Sequence, residues 1–271
     1  MNTSNQQLGA AALKAVTYRT GRFVYFLLGM SFMFIIWHIV SLTTDGELPG
    51  PIQTFSVFYE LVSHPFYDYG PNDKGIGNQL LSSLERVTKG FIIGSLIAIP
   101  MGLLMGSTKL GMNLLNPMVQ VLRPVSPLAW FPIGLVAFQS AHTSTVFVII
   151  ITSLWPTLIN TAFGVSTIPQ DHKNVSKAFG FSTFKYITKV LLPYTLPHII
   201  TGLRLSVGIA WMVIVAAEML SGGVGIGFFV WDSWNALSLE KVFSAILIIG
   251  LVGFLLDISF KSLQNRYSYD S

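Results

Sequence analysis

The sequence predicts an all-α membrane protein of about six transmembrane helices. Three observations carry that expectation. Of 271 residues, 52% are hydrophobic and only 10% are charged, whereas a water-soluble domain carries about 25% charged residues. Several apolar runs are long enough to cross a hydrocarbon core of ~30 Å. The basic residues also concentrate in alternate connections, as they do when cytoplasmic loops retain Lys and Arg.

Residues 1–22 form a polar tail with Lys14, Arg19 and Arg22 ahead of the first apolar run. That run, 23–43, holds only His38 as a possible charge. It is too long for a cleavable signal and no Ala-x-Ala site follows, so it reads as an uncleaved span. Residues 44–85 form a long polar connection. Within it, Ile52–His64 places Phe55, Phe58, Tyr59 and Val62 at helical spacing, as expected of a helix lying on the membrane surface. Phe66–Gly77 is rich in Pro, Gly, Asn and Asp and reads as a turn-rich loop.

The second span is expected at about 87–106. Gly90, Gly94, Gly102 and Gly106 recur at multiples of four, a spacing that lets helices approach closely in lipid, and Pro100 predicts a kink. The third span, about 110–138, is interrupted at Arg123-Pro124-Val125-Ser126-Pro127. Two prolines three apart exclude an unbroken helix, and a break at membrane depth is tolerated only against protein or a water-filled cavity. The fourth span is 145–168, with Pro156 near its middle. A polar segment, 169–193, follows. The fifth span is 196–220 and the sixth 242–263. Gly222, Gly223, Gly225 and Gly227 between them read as a turn at a helix end. Residues 266–271 form a short tail. No internal repeat is evident, so 23–265 reads as one transmembrane domain.

With the N-terminus in the cytoplasm, the inside segments hold Lys14, Arg19, Arg22, Lys109, Lys173, Lys177, Lys185, Lys189, Lys261 and Arg266. The outside segments hold only Lys74, Arg86, Lys89 and Lys241, with most of the acids. This bias places both termini and 169–193 in the cytoplasm.

Composition excludes several function classes. The chain has no cysteine, hence no disulfide, thiolate metal site or catalytic thiol. It has no Gly-Lys dipeptide, so no P-loop binds ATP here. His38, His64, His142, His172 and His198 show no metal-ligand spacing. No catalytic constellation is visible, and no basic module suited to nucleic acid exists. The chain therefore reads as a non-enzyme. A secondary transporter needs acidic residues in mid-membrane, and none is central in this reading.

Three charges stand out. Arg123 lies about 20 Å along its span, Arg204 about 16 Å and Glu218 about 37 Å, at ~1.5 Å per residue. Both arginines thus fall in the middle of the bilayer, where a charge is costly and usually functional. A structural pairing with a carbonyl or carboxylate is the alternative. Trp130, Trp155 and Trp211 read as packing, and Trp37 and Trp231 as interfacial residues.

The segment Asn174–Pro193 is amphipathic and basic, with Gly180 between two short helical pieces. It suits either a partner surface or an anionic lipid surface. Its pattern resembles the EAA loop of ABC-transporter permeases: Gly180, Val190, Leu192 and Pro193 stand at that loop's spacing, although Asn174-Val175-Ser176 replaces its Glu-Ala-Ala opening. Three further stretches, Leu122–Pro132, Gly202–Trp211 and Ala216–Leu220 with Gly225-Ile-Gly227, resemble the nitrate/sulfonate/taurine permeases. The stretch Gly70–Gly77 resembles their nitrate and bicarbonate branch.

The resemblance covers about residues 25–265 and implies a type I ABC importer permease fold. It implies a second permease copy, two cytoplasmic ABC ATPases carrying ATP and Mg, and an extracytoplasmic solute-binding protein, assembled in a bacterial plasma (inner) membrane. It implies no cofactor in this chain. The implied cargo is a small inorganic oxyanion, nitrate or nitrite first, with bicarbonate, cyanate or an alkanesulfonate such as taurine as alternatives. Lys177, Ala178, Phe179, Gly180 and Phe181 would meet the ATPase. Arg123, Arg204, Trp130, Trp211 and Glu218 would line the substrate path.

Overall fold

The computed structural model describes residues 24–44, 47–70 and 73–267. The expected N-terminal tail and the end of the C-terminal tail lie outside them. The regular structure of the described residues is helical, apart from one isolated antiparallel bridge between Asp68 and Lys74. In order, the helices are α1 (Val24–Thr43), α2 (Pro51–Ser63), α3 (Ile76–Ser107), α4 (Lys109–Leu122), a 3-10 turn (Pro127–Trp130), α5 (Phe131–Phe138), α6 (Ala141–Ser166) and α7 (Gln170–Ala178). These are followed by α8 (Thr183–Tyr186), a π-helical turn (Ile187–Leu191), α9 (Leu192–Ser221), α10 (Ile226–Asn235) and α11 (Leu239–Tyr267).

Among the described residues, five helices are long and apolar enough to cross a membrane. A sixth crossing is available if α4 and the limb Pro127–Phe138 count as one span bent by 96°. The protein is a multi-pass membrane protein.

The centre of the bundle is α6, packed between α3 and α9. The four expected glycines of α3 face it. A Cβ at Gly94, Gly102 or Gly106 would lie 2.8, 2.6 or 2.5 Å from the carbonyl oxygens of Ile150, Leu158 or Ala162. Ala98, fully buried, continues the row. Small residues thus bring two backbones into contact, and in lipid such packing replaces the hydrophobic drive available in water. The α6–α9 seam adds buried hydrogen bonds to close packing at Gly164 and Gly202. Ser206 donates to the Ser153 carbonyl (2.7 Å), and the Thr157 and Ser206 hydroxyls are 2.7 Å apart. With the Ser206 hydrogen so placed, Thr157 must donate to Ser206. Each hydroxyl is thereby satisfied inside the membrane, as burial demands.

The periphery is thinner. α1 lies at the edge of the bundle, held by Trp37, which stacks on Phe243 at 5.6 Å and donates to the Pro49 carbonyl at 3.0 Å.

Two regions differ from the sequence expectation. α3 begins at Ile76 rather than near 87, because Gln79, Ser83 and Arg86, which read as loop, are the buried face of its first turns. The connection expected at 221–241 contains α10, which the glycine-rich turn folds back against α9 and α3; Gly222 and Gly223 take φ of 70° and 86°.

Candidate functional site

The proline break builds a cleft. α4 ends when Pro124 removes a donor just beyond Arg123. Ser126 is extended, and Pro127 starts the 3-10 turn. The chain turns sharply and exposes Arg123 at the corner. The resulting cleft, about 350 Å³, is lined by Arg123, Val125 and Pro127 from the break, Thr152, Trp155, Pro156, Ile159 and Asn160 from α6, and Leu205 and Ile209 from α9. Among the described residues the Arg123 side chain has no salt-bridge partner. Its planar fork of donors therefore remains available to an anion.

Arg204 is placed differently. Its Nε and Nη2 donate to the two carboxylate oxygens of Asp257 at 2.8 and 2.9 Å, and Nη1 donates to Gln264 at 3.0 Å. Gln264 in turn donates to Thr201 at 2.9 Å. This is a fork-on-fork pair joining α9 to α11, beside a cleft of about 430 Å³. The two arginines thus line separate clefts that share only Leu205 and Ile209. Asp257 is the residue sequence reasoning passed over. A lone Asp inside an apolar run, facing a span with a lone Arg, was the available signal.

Glu218 and Trp211 do not reach either cleft. Trp211 is buried against α11 and donates to the Ile249 carbonyl at 3.0 Å. Glu218 is fully buried and its carboxylate is enclosed by this chain. It accepts from Arg86 Nη1 (2.6 Å), Ser83 Oγ (2.8 Å) and the Gly227 N–H (3.0 Å). Gln79 accepts from the Gly225 N–H at 2.6 Å, and Arg86 Nε donates to His142 at 3.1 Å. A Cβ at Gly225 would lie 2.4 Å from the Glu218 carboxyl carbon, so glycine is required for that approach. The cluster ties α3, α6, α9 and α10 together. Trp130 lies in the 3-10 turn with its indole N–H buried and unpartnered. The set expected on the path is therefore not gathered in one place: Arg123 faces one cleft, Arg204 another, and Glu218 and Trp211 hold helices together. Arg86, expected in an outer loop, is the partner of Glu218.

At the opposite end of the chain's long helices lies the basic segment. α7 ends at Ala178, and Gly180 takes the left-handed conformation (φ 63°). The Gly180 N–H donates to Lys177 and the Phe181 N–H to Ser176, both at 3.0 Å. These are the paired bonds of a Schellman motif, which favours glycine at this position. α8 then passes through the π turn directly into α9. Pro193, which lacks a donor, falls just after that wider turn. Val175, Phe179 and Phe184 stand 54%, 75% and 78% exposed, beside Lys177 and Lys189. Lys185 lies 4.2 Å from the centre of the Phe181 ring. Ala178 is exposed on the same short helix.

Residues 92–269 match the model of a family described as the binding-protein-dependent transport system inner membrane component. The chain is 44% identical over 225 residues to the nitrate import permease protein NrtB of Synechocystis sp., covering 83% of this chain and 82% of that one. It is 46% identical over 234 residues to the bicarbonate transport system permease protein CmpB of Synechococcus elongatus, covering 85% and 84%. Among solved structures it superposes on a chain of the MetNI methionine ABC transporter with a TM-score of 0.61 at 15% identity, covering 72% of this chain and 96% of that one. The fold is that of a type I ABC importer permease.

The Glu218 cluster makes a testable demand. Glu218→Ala leaves a buried guanidinium unpaired and should lower stability by roughly 3–5 kcal/mol, read as a fall in melting temperature in detergent. Adding Arg86→Met should recover much of that loss. A single variant that melts like the parent would contradict the assignment.

Proposed function

The chain belongs to the family of binding-protein-dependent transport system inner membrane components, and on that premise we propose that it is the permease subunit of an ATP-driven importer of a small planar oxyanion, nitrate or nitrite first. The observation that carries this reading is the identity of 44% and 46%, over more than four fifths of each chain, to permeases named for nitrate and for bicarbonate. Both ions are flat and carry three oxygens. The second of those relatives makes bicarbonate the second reading.

The geometry suits such cargo. Arg123 presents its fork at a proline break on the wall of a largely apolar cleft. A guanidinium pairs with two oxygens of a planar anion at once. The low dielectric around the cleft strengthens the attraction, and conduction requires that the ion also leave. The apolar walls of Ile159, Leu205 and Ile209 limit further contacts and keep the hold weak. Arg204, neutralised by Asp257, has the secondary role of holding α9 against α11 beside the neighbouring cleft.

In this reading two copies of the chain enclose one passage, a solute-binding protein delivers the ion from outside, and two ATPases supply ATP hydrolysis with Mg. This chain contributes no catalytic group or cofactor. The basic segment faces the cytoplasm of a bacterial plasma membrane, with both termini on the same side. Its exposed Val175, Phe179 and Phe184, ringed by lysines, are the surface for the ATPase, with Ala178 and Phe181 beside them and Gly180 setting the angle of the turn. Lipid is the weaker occupant, because the apolar side chains stand on a projecting helical turn rather than along a continuous face.

Phe179→Asp should release the ATPase on purification in detergent, since the charge would be buried unpaired at the contact; an unchanged yield of complex would remove Phe179 from it. In vesicles holding the assembled complex with binding protein and ATP, Arg123→Lys should slow nitrate uptake several-fold and Arg123→Ala should slow it further, with assembly intact. Uptake unchanged in Arg123→Ala would reduce Arg123 to a structural charge.

A further inference from the structure

The wall of the Arg123 cleft that α6 supplies has an unusual hydrogen-bonding character. Thr152 is buried and its hydroxyl donates to the Val148 carbonyl at 2.7 Å. Its hydrogen is thereby committed, and Oγ1 can only accept. Pro156 stands four residues later in the same helix and has no N–H. The Thr152 carbonyl therefore lacks its helical donor, and Thr152 and Pro156 both line the cleft. One turn on, Asn160 Nδ2 donates to the Pro156 carbonyl at 2.8 Å. That bond fixes the orientation of the carboxamide, because the flipped amide would set oxygen against oxygen. Asn160 Oδ1 is left as a further acceptor. The Arg123 guanidinium, which can only donate, lines the same cleft.

A small oxyanion in this cleft has the Arg123 donors and the acceptors of the α6 wall within one lining. Nitrate and nitrite have no hydrogen to offer the α6 wall. Bicarbonate has one: its two charge-bearing oxygens can take the guanidinium fork while its hydroxyl donates to a Thr152 oxygen or to Asn160. A buried acceptor facing only other oxygens is unsatisfied, and leaving it so is costly.

We propose that Thr152, its Pro156-freed carbonyl and Asn160 form a hydroxyl-reading subsite in the cleft that Arg123 lines, so that the permease itself prefers an oxyanion bearing an O–H, bicarbonate, to a bare one. The inference rests on the reading that this cleft lies on the path of a small oxyanion. It adds a second stage of selection, after the solute-binding protein has made its own choice. Nitrate, making fewer bonds in the cleft, is held less and passes; bicarbonate is held longer and competes with it.

The test uses the complex of permease and ATPases in detergent at mildly alkaline pH. Broadening of the carbon-13 resonance of labelled bicarbonate reports its exchange onto the protein, and displacement by nitrate gives the preference. The parent should broaden the line, and Arg123→Ala should abolish the effect. Pro156→Ala restores an N–H to the Thr152 carbonyl, and Thr152→Val removes the hydroxyl acceptor. Each should lower the bicarbonate-to-nitrate preference about fivefold, the worth of one hydrogen bond. Pro156→Ala relieves a helix rather than straining it, so loss of folding would not account for its result.

No broadening by the parent, or a preference unchanged in both variants, would overturn the proposal. Nitrate uptake by vesicles separates the two levels. Uptake retained alongside an unchanged preference defeats this inference alone, whereas no uptake of either ion by the parent defeats the oxyanion reading beneath it.

Discussion

The contact of α3 and α9 with the backbone of α6 is the constraint on which the rest of the structure depends. Helices in lipid gain little from burying apolar surface, so they associate by close packing and by shared hydrogen bonds. This chain uses both devices around α6. Glycines on α3 let its backbone meet the carbonyls of Ile150, Leu158 and Ala162. On the other side, Ser206 and Thr157 bond across the α9 seam. A rigid three-helix slab results. The broken span, the α10 turn and the basic segment are all attached to it, and each can be irregular because the slab is not.

Charge is distributed in three ways around that slab. Glu218 and Arg86 are buried and paired, with Ser83 and the Gly227 N–H completing the shell. Such a pair adds little net stability but is costly to break, which makes it a fastener for α10. Arg204 and Asp257 are paired beside a cleft and join α9 to α11. Arg123 has no salt-bridge partner among the described residues and stands at the only sharp break between two described apolar limbs. A charge at membrane depth without a fixed partner is the one for which a passing ion is the natural counter-charge. The same logic sorts the prolines. Pro124 ends α4 and Pro127 starts the 3-10 turn, whereas Pro156 stays inside α6 and leaves the carbonyl of Thr152, a residue of the cleft wall, without its helical donor.

Much of this was legible in the chain itself. Hydropathy and length located the spans, the fourfold spacing of Gly90, Gly94, Gly102 and Gly106 announced a close helix contact, and the paired prolines announced the break. Gly180 was readable as a turn because the segment is helical on both sides of it. What was not legible depended on partners far apart in sequence. Arg86 and Gln79 read as loop because their counterparts, Glu218 and the Gly225 N–H, are supplied by another helix and its turn. Asp257 was hidden inside an apolar run. Glu218 and Trp211 were placed on the path because a polar or aromatic residue in a span suggests function, and only the fold reveals that their hydrogen bonds are already taken.

Transport through the Arg123 cleft requires it to be a watered passage and not a lipid-facing notch. A chain of 271 residues without a cysteine allows a direct measurement: the rate at which single cysteines react with a membrane-impermeant, charged thiol reagent in the assembled transporter. Only a hydrated thiol ionises and reacts readily. Ile159→Cys and Leu205→Cys, on the cleft wall, should be modified, and nitrate should slow that modification. Leu96→Cys, exposed on the outer side of α3, should be inert. Cleft cysteines as unreactive as the one at 96 would contradict the account.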